Sequence, residues 1–422
     1  MVKVARAFPR RTCPSCSGSL VKTITGPRDV SKGVLIGSES LSKTSTRVSR
    51  CVRKGCRVYV RHNYMRIAGE KINVLSFNQM KAAGVYFVTT KTAFTMSYLE
   101  LCYLRLLRAK TSPGQEAAVR VLLHQGHDDL PDHRTFRDCL LRALEAYAVA
   151  KRTPDQVVSF NVDYPAKEVV RLSRSQPLLF HPMNGVREVA MDGNFGLHRH
   201  LLPGVDPPRT KQLPGRPRKA LREDERSCSC ARKDSLHLAL PQRTAGWQFA
   251  VDPSSRKVLA ALEHKASESH GDKVRLLRGL FADPQCVPDV LIHDDACHLE
   301  AYVRKHHPDS FPSVKHFIVD AFHRRNHKCS KRELTVSQKR RCNRVRTNMS
   351  ESFNAWIRAL NFFVNSLRPH SHAFWIEEAC LFYNTNLAPL PTFVARPRGR
   401  RNVKARMMKK PAAIRKRPSS RR

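Results

Sequence analysis

Three acids stand where a carboxylate could do chemistry. Asp192 closes the apolar run REVAMD within MDGNFGLHRH, Asp294 follows the run VLIH within VLIHDDACH, and Glu351 opens an amphipathic run in TNMSESFNAW. Carboxylates converging from separate elements can hold two divalent ions about 3.5–4 Å apart, the arrangement that activates a nucleophile and stabilises a leaving oxygen in phosphoryl transfer. Mg²⁺ or Mn²⁺ suits such a site, because hard ions take oxygen ligands. Each acid also has a plain structural reading. Asp192-Gly193 is a common hairpin turn. Asp294 can cap a helix, with Asp295 beside it the better cap or a solvent-facing acid. Glu351 can complete a capping box with Asn348 or a neighbour as N-cap. Order and position favour the chemical reading: one acid ends a first strand, one ends the strand after a crossover helix, and one begins a late helix. The 56 residues between Asp294 and Glu351 leave room for a further strand and loops.

The second set of reactive residues is sulfur. Cys13-Pro-Ser-Cys16 and Cys51-x4-Cys56 are close pairs separated by 34 residues of strand-like sequence, the pattern of a zinc ribbon. Lys54-Gly55 before Cys56 suits a tight knuckle turn, and buried thiols alone do not explain close pairing in a polar segment. Cys228 and Cys230 form a lone Cys-x-Cys with no assigned partner. The total of 13 Cys is odd, the N-terminus lacks the apolar run of a signal peptide, and no stretch has the length and apolarity of a membrane span. A reducing compartment and no membrane partner are expected.

The elements that must position these groups follow from hydrophobic periodicity. Residues 1–70 carry the cysteine pairs and strand-like runs such as RVYVRH, a zinc-ribbon-like module. Residues 71–182 read as helical, with Leu99, Cys102, Tyr103 and Leu106 on one face of a first helix and FRDCLLRALEAYAVAK as another. This stretch reads as a linker bundle or a helical DNA-binding module. Residues 183–390 alternate strand and helix: REVAMD, then FGLHRHLL after a Gly-Asn turn, a Pro-, Arg- and Lys-rich insertion at 203–244, and a hairpin GWQFAVD-PSSR-KVLAALEH. The helix DKVRLLRGLFA, the strand VPDVLIH, the helix CHLEAYVRKHH, the strand KHFIVDAFH and two final helices, SESFNAWIRALNFFVNSL and HAFWIEEACLFYNTNL, complete it. That order describes an α/β fold, a mixed sheet flanked by helices, the setting an RNase H-like nuclease gives its acids. Residues 391–422 form a basic tail that should be disordered on its own.

Charge names the class of partner. Lys plus Arg is 76 against 35 for Asp plus Glu, a net +41. Residues 395–422 hold 13 Lys or Arg and no acid, and without them the chain still carries +28. Such an excess fits a polyanion whose counterions are released on binding. Charge alone does not separate DNA from a ribosomal or other RNA partner. Pro214-Gly215-Arg216-Pro217-Arg218-Lys219 resembles an AT-hook, which would lay Arg216, Arg218 and Lys219 in a minor groove, though short matches of this kind are common in Arg/Pro-rich loops. The tail would bind phosphate without reading bases and could direct import into the nucleus.

Three blocks, MDGNFGLHRH, HDDACH and TNMSESFNAWIRAL, resemble the catalytic blocks of KDZ-type DNA transposases, over roughly residues 185–387. The Asp-Gly-Asn core matches Asp192, Gly193 and Asn194. Asp-x-Ala-Cys matches Asp294, Ala296 and Cys297, and the Asn-then-Glu pattern matches Asn348 and Glu351. The resemblance implies an RNase H-like DDE core with Asp192, Asp294 and Glu351 as metal-binding catalytic residues, DNA as substrate, strand cleavage and strand transfer as the reaction, and self-association on DNA. DAFH, Asp320 to His323, resembles a Cys/Asp-x-x-His element of several eukaryotic transposase superfamilies. Cys297, His323, His327 and Cys329 could then form a second zinc site, or His323 could orient its neighbours while Cys297 packs in the core. The short gap before Glu351 and the basic 203–244 insertion depart from the family. The alternatives are an inactive zinc-ribbon and RNase H-like nucleic-acid-binding protein, and a nuclease without strand transfer.

Overall fold

The computed structural model describes residues 4–6, 10–22, 30–170, 176–181, 185–203, 206, 242–265, 269–282, 288–320, 323, 327 and 348–388. The AT-hook-like Arg216, Arg218 and Lys219, the Cys228/Cys230 pair, Cys329 and the basic tail lie outside the described residues.

The first half opens with β1 (Val4–Arg6), β2 (Leu20–Lys22), β3 (Val30–Ile36), β4 (Leu41–Arg47), β5 (Ser49–Cys51), β6 (Tyr59–Val60), β7 (Tyr64–Ile67) and β8 (Glu70–Asn73). It continues with α1 (Phe77–Ala83), β9 (Val85–Phe87), β10 (Thr92–Thr95), α2 (Met96–Ala109), α3 (Pro113–Leu123), α4 (His133–Lys151) and α5 (Pro165–Val169). The strands form two five-stranded sheets, ordered β1-β4-β3-β10-β9 and β2-β5-β6-β7-β8.

The stretch 71–182, read as helical, therefore contains β9 and β10, most of β8 and a further short strand at Leu178–Leu179. Ser76 starts α1 with a reciprocal capping box to Gln79, and Gly84, at φ 71°, ends it in the left-handed conformation. The β-branched and aromatic residues Val85, Tyr86 and Phe87 that follow are buried and form an edge strand, while β10 pairs in parallel with β3. One sheet thus joins the N-terminal segment to the segment that follows it. The helices are not a free linker either. Tyr103 of α2 donates to Glu378 Oε1 at 2.6 Å, and Arg152, the residue that ends α4, reaches Glu377 and Glu378 at 3.0 and 2.9 Å. These bonds tie the bundle to the last helix of the chain.

The second half contains β11 (Leu178–Leu179), β12 (Glu188–Asn194), β13 (Gly246–Val251), β14 (Val258–His264), α6 (His270–Leu280), β15 (Val290–His293), α7 (Ala296–His306) and β16 (His316–Val319). Helices α8 (Met349–Arg358), α9 (Asn361–Val364) and α10 (Pro369–Asn386) follow. The strands make one six-stranded mixed sheet, ordered β11-β14-β13-β12-β15-β16. β12, β13 and β14 run antiparallel, whereas β15 is parallel to β12 and β16 to β15. Parallel neighbours need a crossover, which α7 supplies between β15 and β16. Alternation along the strands sorts the two faces. Val189, Met191 and Ala250 pack with Val274, Leu277, Leu299 and Val303 of α6 and α7, while Phe249, Val251 and Val258 join the core that contains Phe353 and Ile357 of α8 and Phe374 of α10. The fold is mixed α/β with helices on both faces of this sheet.

Two local readings change. Asp192-Gly193 is not a turn: β12 runs on through Asn194, and Asp192 sits opposite Phe249 in β13. FGLHRHLL is not a strand beside β12; that place belongs to β13. Gly246 lets β13 begin there. At φ 140° it lies where side chains are strained, and a Cβ would run into the Asn194 carbonyl. The amphipathic run after Glu351 is broken into α8 and α9 by consecutive i to i+3 bonds at Leu360 and Phe363, which keep Leu360 and Val364 on the buried stripe.

Candidate metal centres

Among the described residues, two groups place metal-ligating atoms within 4.8 Å of one another: Cys13, Cys16, Cys51 and Cys56, and His293, Asp294 and Asp295.

The four cysteines sit where a loop before β2 meets the loop between β5 and β6. The first knuckle closes by backbone bonds from Ser17 to the Cys13 carbonyl and from Cys13 to the Gly18 carbonyl. The second closes by Cys56 to the Arg53 carbonyl, with Gly55 at φ 84°. Cys13 Sγ is 3.9 Å from Cys56 Sγ and Cys16 Sγ is 3.5 Å from Cys51 Sγ, with no disulfide. The cradle is close-fitting: a Cβ on Gly18 would press on the sulfurs of Cys51 and Cys16. The Gly18 backbone N–H, the largest influence, brings the Cys16 thiol down to about 7. Cys51 is pushed up to about 12: the Arg53 N–H opposes the rise, and burial and sharing of protons with the other three outweigh it. Four thiols that must share their protons form a donor set that fits one Zn²⁺.

The second centre lies beside the six-stranded sheet. Asp192 projects from β12 toward α8. Its Oδ2 accepts from Asn354 Nδ2 at 2.7 Å and its Oδ1 from the Gly193 N–H at 2.8 Å, while Asn194 Nδ2 donates to the Asn354 carbonyl at 3.2 Å. Burial, followed by the nearby negative charge of Glu351, lifts the Asp192 carboxyl to about 7; Asn354 and His293 pull the other way and Asp294 adds to the rise. Glu351 lies in the first turn of α8, its Oε1 4.0 Å from His323 Nδ1. It completes no capping box, since the N-cap Asn348 makes no side-chain cap bond.

Asp294 follows β15 directly. Its Oδ1 is buried and pairs with His293 Nδ1 at 2.5 Å. Burial would raise the Asp294 carboxyl, but the charge and contact of His293 hold it well below the usual carboxylate range. Asp295 stands at the N-cap position of α7, as expected, but its side chain makes no cap bond and turns inward. Its carboxylate faces His293 Nδ1 at 2.6 Å, His270 Nε2 at 2.9 Å and Lys273 Nζ at 3.1 Å, and Lys273 is 3% exposed. Against burial and the Lys273 charge, Asp294 and Asp295 hold the His293 imidazole protonated far above its ordinary range.

Asp192, Asp294 and Glu351 are thus coupled electrostatically from three separate elements, without closing to within 4.8 Å as a single ligand triad. The expected second zinc set, Cys297, His323, His327 and Cys329, is described only in part, since Cys329 lies outside the described residues. Cys297, His323 and His327 do not converge as a ligand set. His327 Nε2 donates to the Asp294 carbonyl at 2.7 Å and its Nδ1 faces Cys297 Sγ at 3.5 Å, so both ring nitrogens are engaged. His323 turns to Asp320, with Nδ1 to Oδ2 at 2.5 Å and its backbone N–H to Oδ1 at 3.0 Å. These two bonds fix His323 against Asp320.

His293, Lys273, His270 and Asn354 escaped the reading of the sequence. His293 is adjacent to Asp294, and Asn354 lies three residues beyond Glu351, one helical turn away. Those spacings could have marked both. Nothing in the sequence places Lys273 and His270 against Asp295.

No protein-family model matches the chain, and neither the curated proteins nor the solved structures contain a match. Among the described residues no helix is long and apolar enough to cross a membrane.

Proposed function

We propose that the chain is a metal-dependent polynucleotidyl transferase of the RNase H-like DDE kind, related to KDZ-type transposases or derived from one, that cleaves and joins DNA. The observation that carries this reading is the coupling of Asp192 to Glu351 and Asp294, three acids from a strand, a strand end and a helix start. The sheet supports it: an antiparallel β14-β13-β12 meander followed by β15 and β16 parallel to β12 is the strand order expected of an RNase H-like core.

The donor set suits Mg²⁺ or Mn²⁺, because carboxylate oxygens are the hard ligands these ions take. Two ions about 4 Å apart admit ligand oxygens up to about 8 Å from each other, so the looser spacing of the three acids is compatible with such a pair. Bound there, the ions would activate water against a phosphodiester and stabilise the leaving oxygen. Asp192 and Asp294 would share the ions and Glu351 would complete the second position. Asn354 holds the Asp192 carboxylate in place. Asp295, neutralised by Lys273 and His270, keeps the β15–α7 turn in shape. The net +41 chain supplies the attraction for DNA, and nuclear localisation follows from that substrate.

Purified chain incubated with supercoiled plasmid and Mn²⁺ or Mg²⁺ should nick it, and Asp192→Asn and Asp294→Asn should lower the rate by about 10³-fold or more while DNA binding persists. Joined products from a donor end and a target plasmid identify strand transfer, and nicking without joining identifies a nuclease. Binding by every variant with nicking by none leaves a nucleic-acid-binding protein.

A further inference from the structure

The sheet that carries the cysteine cluster has a face that the metal centres do not use. Its strand register places one residue of each strand in a single row across all five: Val21 opposite Arg50, Arg50 opposite Tyr59, Tyr59 opposite Arg66, and Arg66 opposite Lys71. Residues directly opposite one another share a face with side chains about 5 Å apart. The next register row turns the other way and is buried, with Ser49 opposite Val60 at 6% and 0% exposure. Tyr59 is 47% and Val21 48% exposed, and Arg50 and Arg66 are exposed on either side of the tyrosine. The side chains of Arg50, Tyr59 and Arg66 make no hydrogen bond or salt bridge among the described residues. Lys71 ends the row in a salt bridge with Asp163 at 2.9 Å.

An exposed aromatic ring between two arginines on a sheet matches a specific chemistry. A base can stack on the tyrosine face while guanidinium groups about 10 Å apart, two strand spacings, hold the phosphates on each side of it. A duplex could use the arginines and would leave the ring idle, because its bases are already stacked. The row bears no acid and leaves Arg50 and Arg66 outside any salt bridge among the described residues, so a polyanion complements it.

We propose that the face centred on Arg50, Tyr59 and Arg66 binds an unpaired segment of DNA, one base stacking on Tyr59. The site is separate from the carboxylate centre and does not depend on the reading of that centre. It gives the cysteine module a specific task, since the cluster fixes the β5 end and the β5–β6 loop that present Arg50 and Tyr59.

The test uses the full chain and an oligodeoxythymidylate with one central 5-iododeoxyuridine, photo-crosslinked and mapped by peptide mass, alongside anisotropy with the same oligonucleotide and with an abasic one of equal phosphate count. The expected crosslink falls on Tyr59 and disappears in Arg50→Ala/Arg66→Ala. Tyr59→Ala should bind the thymidylate about tenfold more weakly, Tyr59→Phe should bind as the parent does, and the loss should vanish on the abasic strand. The double arginine variant should flatten the dependence of log K on log salt by about 1.4, two phosphates' worth for a single strand. Arg108→Ala/Arg134→Ala, which removes equal charge from α2 and α4, is the control. Crosslinks confined to other peptides, or equal weakening of Tyr59→Ala on thymidylate and abasic strands, overturns the proposal. An unchanged affinity of Tyr59→Ala overturns it too, as does tighter binding of a hairpin duplex that Tyr59→Ala leaves unaltered. Equal crosslinking to oligouridylate would reassign the ligand to RNA.

Discussion

Replacing Asp192 with Asn should make the metal-free protein more stable at alkaline pH. The wild-type carboxyl is lifted from its ordinary 3.8 to about 7 by burial and by Glu351. Between those two values the native state keeps a proton that the unfolded chain has released, so native stability falls as pH rises through the window. At about 1.4 kcal/mol per pKa unit the full effect above pH 7 is about 4 kcal/mol. Asparagine carries no charge, but it offers one oxygen where the carboxylate offers two to Asn354 and the Gly193 N–H, which returns about 1 kcal/mol. A net gain of about 2–3 kcal/mol at pH 8 is expected, shrinking to nothing or to a slight loss near pH 4. All three tryptophans, Trp247, Trp356 and Trp375, lie on β13, α8 and α10. Their fluorescence during urea unfolding in Mg²⁺-free buffer therefore reports the body that contains the site. Adding Mg²⁺ should stabilise the wild type and leave Asp192→Asn unmoved. A variant less stable than wild type at pH 8, or a difference that does not change with pH, would refute the claim that three acids crowd one another here.

Apparent Mg²⁺ affinity, followed by the same fluorescence, should rise up to about tenfold per pH unit between 6 and 7 and level off above, because the Asp192 proton must leave. Cys51→Ser should reduce bound zinc, measured by elemental analysis, from one equivalent to little or none and loosen the sheet that Cys51 joins. Glu378→Gln should cost about 1–3 kcal/mol in the urea midpoint by weakening its buried bonds to Tyr103 and Arg152. Arg199→Ala should cost about 3–5 kcal/mol, since Asp206 and Glu263 would be left buried without the guanidinium they share.

The cysteine spacing was fully legible. Pairs with two and four residues between their cysteines and a glycine at the second knuckle constrain a sulfur cluster locally, and the four sulfurs meet as the spacing suggests. The periodicity of α2, α4, α6 and α7 was legible for the same reason: a period of 3.6 is a local property of side-chain direction. Strands β9 and β10 were hidden because they are short and lie between strong helices, and only pairing with β3 makes them strands. For the expected second zinc set, spacing does not encode the partners that two of its histidines take, the Asp320 carboxylate for His323 and the Asp294 carbonyl for His327.

From its sequence alone this protein is a basic, α/β chain with a paired-cysteine module and three acids at the ends of elements, because composition, spacing and periodicity are written residue by residue. Only the tertiary structure decided that Asp192 lies inside a strand and not in a turn, that Asn354 holds it, and that Lys273 and His270 claim Asp295. Those contacts join residues from 22 to 162 positions apart. Such distances are closed by the packing of whole elements, and no local pattern records them.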